Sequence, residues 1–365
     1  MAKYKKIKVA VLFGGKSAEH EVSIWSAKNV LAALDPKKYE AVPIGIDKKG
    51  VWYLSSAKFL LGSQNPRLLK LNKQEKSVMM VVKKETGELV RADTKETVGH
   101  IDVVFPVLHG PMGEDGTIQG MLKLMDVPFV GAGVLGSAVG MDKDVMKRLL
   151  CAEGIPVTDF IVFRQGEKIN FREIKKKLGF PFFVKPANLG SSVGINKVKN
   201  KNGFKDAIRI AFKFDNKILV EKYVKGREIE CSVLGNELPI ASLPGEVIPT
   251  HEFYTYENKY IDENGARLEV PARLPKKIIA EVRALAIKTF KVLCLEGMAR
   301  VDFFLTPQNK VIINEVNTIP GFTNISMYPK LWEASGISQP ELVDRLIMLA
   351  IERHKKEKLL KTSYD

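Results

Sequence analysis

Cysteine is scarce in this chain: three in 365 residues, Cys151, Cys231 and Cys294, odd in number and far apart. No CxxC pair is present to ligate zinc and no even set to build a disulfide framework, which suits a reducing cytoplasm. Long apolar runs are also missing. The charge-free stretch from Val127 to Met141 is short and broken by glycine, below the ~20 apolar residues of a membrane span. The Lys-rich start leads through Val9–Phe13 into Gly14-Gly15-Lys16 with no small-residue cleavage site, so no secretory signal is expected. GxGxxG does not follow the first strand, and no Gly-Lys-Ser/Thr opens a helix at Walker A spacing. Internal repeats, low-complexity segments, zinc-finger spacing and RNP-type aromatics are absent as well. Neither a membrane nor a nucleic acid is an expected partner.

What is present is a globular composition, 45% hydrophobic and 27% charged, with length for two or three domains. The net charge is +15. Part of it lies at the ends (Lys3, Lys5, Lys6, Lys8; Lys355, Lys356, Lys358, Lys361), where solvated tails are expected. The remainder is compatible with scattered surface lysines or with a polyanionic ligand such as a nucleotide phosphate.

Ile7–Phe13 reads as a buried strand, followed by a helix over about Ala18–Leu34 that Ser17 is placed to cap. Val42–Ile46 and Val103–Leu108 read as further strands, with an irregular hairpin insertion over about 48–99 between them. Ile118, Met121, Leu122 and Met125 keep helical spacing. This alternation points to an α/β domain with a parallel sheet. A helix then runs from Asp142 to Gly154, and strands follow at Thr158–Phe163, Phe182–Lys185, Ile218–Glu221, Glu228–Leu234 and Met298–Leu305. A long helix lies between Pro275 and Leu293. The chain therefore reads as three α/β or α+β units in series, over 1–131, 132–220 and 221–365.

Three segments carry chemistry. In Val184–Ile195, Gly190 and Gly194 flank Ser191 and Ser192, so backbone N–H groups can approach an anion. Lys185 at the strand end supplies a positive charge suited to phosphate; an ordinary flexible loop with a surface lysine would look similar. The second segment is the hairpin of Met298–Leu305 and Lys310–Asn317. Residues two apart share a face, which puts Arg300 with Asp302 and Glu315 with Asn317. A four-residue turn, Thr306–Asn309, would pair Leu305 with Lys310 and Asp302 with Ile313, gathering the polar residues on one side. Oxygens of that kind suit Mg²⁺ or Mn²⁺ bridging nucleotide phosphates, whereas a merely solvated face is the alternative. Arg300 could bind a carboxylate or stabilise developing negative charge. Third, Glu19 falls in the first turn of a helix, favoured by the macrodipole, either for that reason alone or as a ligand group. His109, in Leu108–Gly116, leaves a strand end, where α/β proteins bind ligands. The aromatic stretch His251–Tyr260 reads as a lid.

In order along the chain stand GGKSAEHEVS, LHGPMGEDGTIQG, MDKDVMKRLL, VKPANLGSSVGI, VEKYVKGRE, FYTYENKY, ARVDF and NEVNTIPGFTNISM. Together, over about Ile7–Ile351, they resemble the D-alanine–D-alanine ligases, ATP-grasp enzymes of peptidoglycan precursor synthesis. The resemblance implies an N-terminal Rossmann-like parallel-sheet domain followed by two α+β subdomains that clasp ATP. It implies ligation of two D-alanines through a D-alanyl phosphate with ATP and two Mg²⁺ or Mn²⁺ ions, in a cytoplasmic homodimer. Lys143 and Lys185 would bind phosphate, and the Ser191–Ser192 loop would close over it. Glu221, Lys222, Tyr223 and Val224 would meet the adenine and Glu228 the ribose, with Phe253, Lys259 and Asn314 completing the nucleotide site. Asp302, Glu315 and Asn317 would hold the metals. Glu19, Ser191 and Tyr260 would form a hydrogen-bonded catalytic set on the first D-alanine. Arg300 and the Gly321 backbone would stabilise the oxyanion. Val22, His109, Ser326 and Met327 would line the substrate sites, Ser326 at the second carboxylate. His20, Ile319 and Met327 depart from the family's usual residues. Tyr260 favours the dipeptide-forming type over the related D-alanine–D-lactate ligases.

Overall fold

The structure is a computed structural model that describes residues 5–62, 77–83, 86–250, 265–361 and 363–364. Its first sheet runs in the order Trp52–Leu54, Tyr39–Ile46, Ile7–Gly14, Val103–Val107. The three longer strands are parallel, Val9 lying opposite Ala41 on one side and Val103 on the other. A parallel sheet covered on both faces needs unbroken aliphatic strands, and Val9 through Phe13 are wholly buried. Their alternation sorts them between two cores. Val9, Val11 and Phe13 pack with Ile24 and Ala27 of helix His20–Ala33 and with Leu346 and Ile347 of the last helix, Gln339–Glu357. Ala10 and Leu12 pack on the other side with Ile44 and with Leu122 of helix Thr117–Leu124. The end of the chain thus seals the sheet that its beginning opens.

The first helix begins at His20, two residues later than its apolar spacing predicts. Ser17 does not cap it. The Ser17 hydroxyl accepts the Glu19 N–H at 3.1 Å and its carbonyl accepts the His20 N–H at 3.3 Å, a turn that leaves Glu19 at the N-cap rather than in the first turn. The insertion is more regular than an irregular hairpin. Trp52–Leu54 joins the first sheet antiparallel to Tyr39–Ile46, and Val78–Lys83, Thr86–Arg91 and Thr97–His100 form a three-stranded antiparallel sheet.

The second sheet, Asn196–Val198, Phe182–Pro186, Lys217–Lys222, Phe160–Arg164, is antiparallel throughout. Phe182, Val184, Ile218 and Val220 turn one face to Ile174 of helix Phe171–Leu178 and Phe204 of helix Phe204–Ala211. The opposite face is thereby left to Phe183, Lys185 and Glu221. Strand Lys217–Lys222 runs through the boundary expected at 220, and the chain crosses to the third sheet over 223–226.

The third sheet runs Ala266–Glu269, Gly245–Pro249, Arg227–Gly235, Gly297–Leu305, Val311–Asn317. Helix Lys276–Val292 covers it with Ile278, Val282, Ala286 and Phe290 against Ile229, Cys231, Val301 and Phe303. The terminal hairpin departs from the expected register. Leu305 pairs with Val311, one residue further on than a four-residue turn allows, because Thr306 N–H closes on the Lys310 carbonyl at 3.0 Å. That shift alone would carry Glu315 to the opposite face from Asp302. A bulge between Asp302 and Phe303 restores the phase: Phe303 pairs with Ile313, but Asp302 pairs with Glu315 and Arg300 with Asn317. Asn314 is the extra residue, and the bulge turns it to the same side as Glu315.

Candidate active site

The polar faces of the second and third sheets meet in a cleft of about 560 Å³. Phe183, Lys185 and Glu221 line it from one sheet, and Glu228, Phe304, Asn314 and Glu315 from the other. Lys222 lines it from the end of strand Lys217–Lys222, Tyr223 and Val224 from the crossing segment, and Ser192 from the glycine–serine loop. Eight of the expected nucleotide-site residues therefore border one cavity: Lys185, Ser192, Glu221, Lys222, Tyr223, Val224, Glu228 and Asn314. One end is apolar. Phe183 stands 6.1 Å from Tyr223, centroid to centroid, with Val247, Ile248 and Phe304 also bordering the cavity. The Lys197 ammonium lies 4.4 Å over the Tyr223 ring. Sequence reading missed Phe183, Lys197 and Phe304, although strand alternation places Phe183 beside Lys185 and Phe304 beside Asp302.

The charged end is built by three lysines and two glutamates. Asp142 caps helix Lys143–Ala152 by accepting the Asp144 and Val145 N–H groups at 3.1 Å, and its carboxylate also receives the Lys217 ammonium at 2.5 Å. This anchoring directs Lys143, whose Nζ donates to the Leu189 carbonyl at 2.8 Å and lies 3.6 Å from Glu315 Oε2. Buried Glu221 takes Lys185 at 2.5 Å and Lys147 at 3.3 Å. Burial opposes its charge, but the two ammonium groups outweigh that cost and hold the carboxyl below its usual range. Lys147 is fully enclosed, and burial pushes its pKa down to about 8 against the attraction of Glu221. The neighbouring Lys185 ammonium pushes the Lys147 pKa in the same direction as burial. Lys147 was not singled out in the sequence; its place at i+4 from Lys143 was the available signal.

On the third sheet Glu230, Asp302 and Glu315 stand in one row across three strands. The Arg300 guanidinium grips both Asp302 oxygens at 2.8 Å and reaches Glu230 Oε2 at 2.9 Å. Asn317 Nδ2 donates to Asp302 at 2.9 Å. Register thus brings the three expected metal ligands, Asp302, Glu315 and Asn317, together with Arg300. Among the described residues no group of three His, Cys, Asp or Glu side chains is arranged around a single ion. The donors are two carboxylates and an amide, and cations (Arg300 and Lys143) already stand against them. Hard oxygens in a field strong enough to hold two positive side chains fit a divalent ion that is itself shared with phosphate. Glu230 escaped notice because only the register of Arg227–Gly235 against Gly297–Leu305 reveals its neighbours.

At the end of the first sheet, Glu19 accepts a hydrogen bond from the Ser191 hydroxyl, 172 residues away. Ser191 and Ser192 hold left-handed φ values of 52° and 60°, a conformation costing roughly 1–2 kcal/mol per residue outside glycine. Gly110 leaves room for Glu19: a Cβ there would lie 2.8 Å from Glu19 Oε2. His109 is buried, which lowers its pKa and keeps it neutral. Its Nδ1 is 3.0 Å from the Ile319 carbonyl and so carries the proton, leaving Nε2 to accept from the Ser26 hydroxyl at 3.1 Å. The Glu114 carboxylate accepts the Gly110 N–H at 2.7 Å and the Ile319 N–H at 3.0 Å.

Gly321 approaches Ser326, whose hydroxyl would lie 2.7 Å from a Cβ on Gly321 and accepts the Thr323 N–H at 2.9 Å. Val22 is buried in the first helix. Met327 packs with Val247 and Leu331 in a small apolar cluster. Phe253, Lys259 and Tyr260, with the rest of the aromatic stretch, lie outside the described residues.

Comparison with known proteins gives a consistent result. The family described as D-ala D-ala ligase N-terminus matches residues 8–132, and that described as D-ala D-ala ligase C-terminus matches residues 149–348. The chain is 50% identical over 361 residues to D-alanine–D-alanine ligase of Oceanobacillus iheyensis, covering 98% of this chain and 99% of the relative. It is 49% identical over 362 residues to D-alanine–D-alanine ligase A of Escherichia coli K12, covering 98% and 100%. Among solved structures, the D-alanine–D-alanine ligase from Coxiella burnetii superposes with a TM-score of 0.87 at 41% identity, covering 97% of this chain and 96% of that one. The VanG D-Ala:D-Ser ligase from Enterococcus faecalis superposes with a TM-score of 0.84 at 35% identity, covering 95% and 100%.

Proposed function

The chain belongs to the D-alanine–D-alanine ligase family, and on that premise we propose how its residues divide the work of the reaction. It is an ATP-grasp enzyme that joins two D-alanines into D-alanyl-D-alanine at the expense of ATP, through a D-alanyl phosphate, for peptidoglycan synthesis. ATP and a divalent metal are its cofactors. The observation that carries the assignment of roles is the meeting of Lys143, Lys185 and the Asp302–Glu315 pair at one end of a cleft whose other end is apolar.

The adenine is assigned to Phe183, Tyr223 and Phe304, flanked by Glu221, Lys222 and Val224, and the ribose to Glu228. The phosphates extend toward Lys143, Lys185, Ser192 and Asn314. Asp302, Glu315 and Asn317 would hold two Mg²⁺ or Mn²⁺ ions, which when bound neutralise charge on the nucleotide phosphates. Phosphoryl transfer of this kind depends on position and electrostatics, and the chain supplies both: Glu221 and Leu189 aim the two lysines, and Glu230 with Asp302 aims Arg300. Glu19 orients the first D-alanine's ammonium, with Ser191 and Tyr260 completing that set. The carboxylate oxygen of the first D-alanine attacks the γ-phosphorus, and ADP departs. The second D-alanine, its carboxylate at Ser326 and bordered by Met327, attacks the acyl carbon as a neutral amine. Arg300 and the Gly321 N–H receive the oxyanion before phosphate leaves. An acyl phosphate hydrolyses in water, so the Ser191 loop and the segment carrying Phe253, Lys259 and Tyr260 act as lids.

The first 131 residues are read as the substrate domain, and the two stretches on either side of the crossing at 223–226 as the halves of the nucleotide clasp, in a cytoplasmic homodimer. No helix among the described residues is long and apolar enough to cross a membrane. Phosphate release from ATP, measured with D-alanine against L-alanine and followed by product mass, tests the function. D-alanine alone should drive release and yield the dipeptide mass. Equal release with L-alanine, or a heavier product only when D-serine or D-lactate is added, would contradict it.

A further inference from the structure

Glu114 has no role in the scheme above, yet it is enclosed at 8% exposure and spends both carboxylate oxygens on backbone N–H groups. One belongs to Gly110, four residues away; the other to Ile319, 205 residues away, in the loop that follows the metal-site hairpin. The Ile319 carbonyl is held in turn by His109 Nδ1–H. Further along, the Phe322 N–H donates to Ser26 Oγ at 3.1 Å, and Ser26 donates to His109 Nε2. Thr318 Oγ reaches the Glu114 carbonyl at 3.3 Å. The backbone from 318 to 322 is therefore gripped at its start and at its end by side chains of the first 131 residues, and Gly321 lies between the grips.

We propose that Glu114 and Ser26, acting with His109, are positioning residues that fix the Gly321 N–H for the oxyanion of the second half-reaction. The proposal rests on the role given to Gly321 above. The physical reason for such a scaffold is the tolerance of the step. An N–H donor stabilises an oxyanion only at hydrogen-bond distance from where the charge develops, and a displacement of about 1 Å costs on the order of 100-fold. The 318–322 loop has no strand partner among the described elements, so its own sheet does not set that position. Glu114, His109 and Ser26 do, from the same unit that presents Glu19 to the first substrate. A common frame thereby registers the acyl phosphate against its oxyanion donor.

The two half-reactions separate the roles. D-alanine-dependent positional isotope exchange in γ-labelled ATP reports formation and return of the acyl phosphate; dipeptide formation requires the oxyanion step as well. Assayed above about pH 8, where the Glu114 carboxyl has given up its proton, Glu114→Gln keeps the size of the side chain but turns an amide N–H toward one of the two donors it must accept. Dipeptide formation should fall about 30- to 100-fold, while isotope exchange stays within about threefold of the parent. Ser26→Ala should show the same split with a smaller loss, about 10-fold, and serves alone if Glu114→Gln does not fold. Equal losses in both reactions, or no loss in dipeptide formation, would overturn the proposal. Failure of the ligase reading itself would show separately, as a parent enzyme that makes no dipeptide.

Discussion

A carboxyl group shut away from water and facing a second carboxylate keeps its proton longer than one in solvent. Glu114 is in that position: burial, and then the charge of Glu19, push its pKa up to about 8 from an ordinary 4.5, outweighing the two N–H groups and Arg300, which act the other way. Between those values the folded chain binds a proton that the unfolded chain has lost, so this group's contribution to stability declines as pH rises from about 4.5 to 8. Glu114→Gln cannot titrate. Relative to the parent its melting temperature should therefore improve steadily from pH 5 to pH 8 in scanning fluorimetry; a difference that does not change with pH would contradict the assignment. At this scale the sequence reveals side chains whose meaning is local. Asp302 and Glu315 stand out as polar positions alternating with buried Val301, Phe303 and Val316. Glu114, Glu230 and Lys147 do not, because their partners are Ile319, Arg300 and Glu221, each brought near by tertiary structure.

Elements pass this order on to function through their ends. Lys143 is the first residue of its helix, and Asp142 both caps that helix and anchors Lys217. Asp142→Ala removes a cap worth about 1 kcal/mol and leaves the buried Lys217 ammonium with Asp144 as its remaining carboxylate. Stability in urea should drop by about 2–3 kcal/mol. The Michaelis constant for ATP should rise several-fold, with that for D-alanine little changed. Equal effects on both would show that the helix start does not aim Lys143. The terminal hairpin shows what pattern reading reaches and where it stops. Alternation correctly gathered Arg300, Asp302, Glu315 and Asn317, but through the wrong pairing. The turn is one residue longer than the sequence suggests, and the bulge at Asn314 compensates. Periodicity is blind to a net shift of two residues, one from the turn and one from the bulge, since the faces come out the same. The start of the first helix was misplaced for a different reason: Ser17 serves a turn that presents Glu19, and turn and cap draw on the same residue types.

In the whole molecule, three sheets and the helices that back them converge from distant parts of the chain. The last helix returns to the first sheet, where the buried Arg353 guanidinium donates to the Phe129 and Gly131 carbonyls at 2.8 and 2.6 Å and stands 4.6 Å over the Phe129 ring. Fold class was legible because unbroken aliphatic strands and amphipathic helices report burial directly. The crossing from the second sheet to the third, and with it the cleft, was legible only through the family resemblance, since no residue near 223–226 by itself signals which faces will oppose each other. What depends on that convergence is the proposed reaction centre, in which carboxylates of one sheet stand with Lys143 and Lys185 beside them. The most direct measurement is D-alanine-dependent ADP release by Glu315→Ala at saturating ATP and Mg²⁺, alongside its melting temperature. Release should fall by about a thousandfold or more with melting shifted by no more than a few degrees. Near-normal release from a well-folded variant would contradict the account.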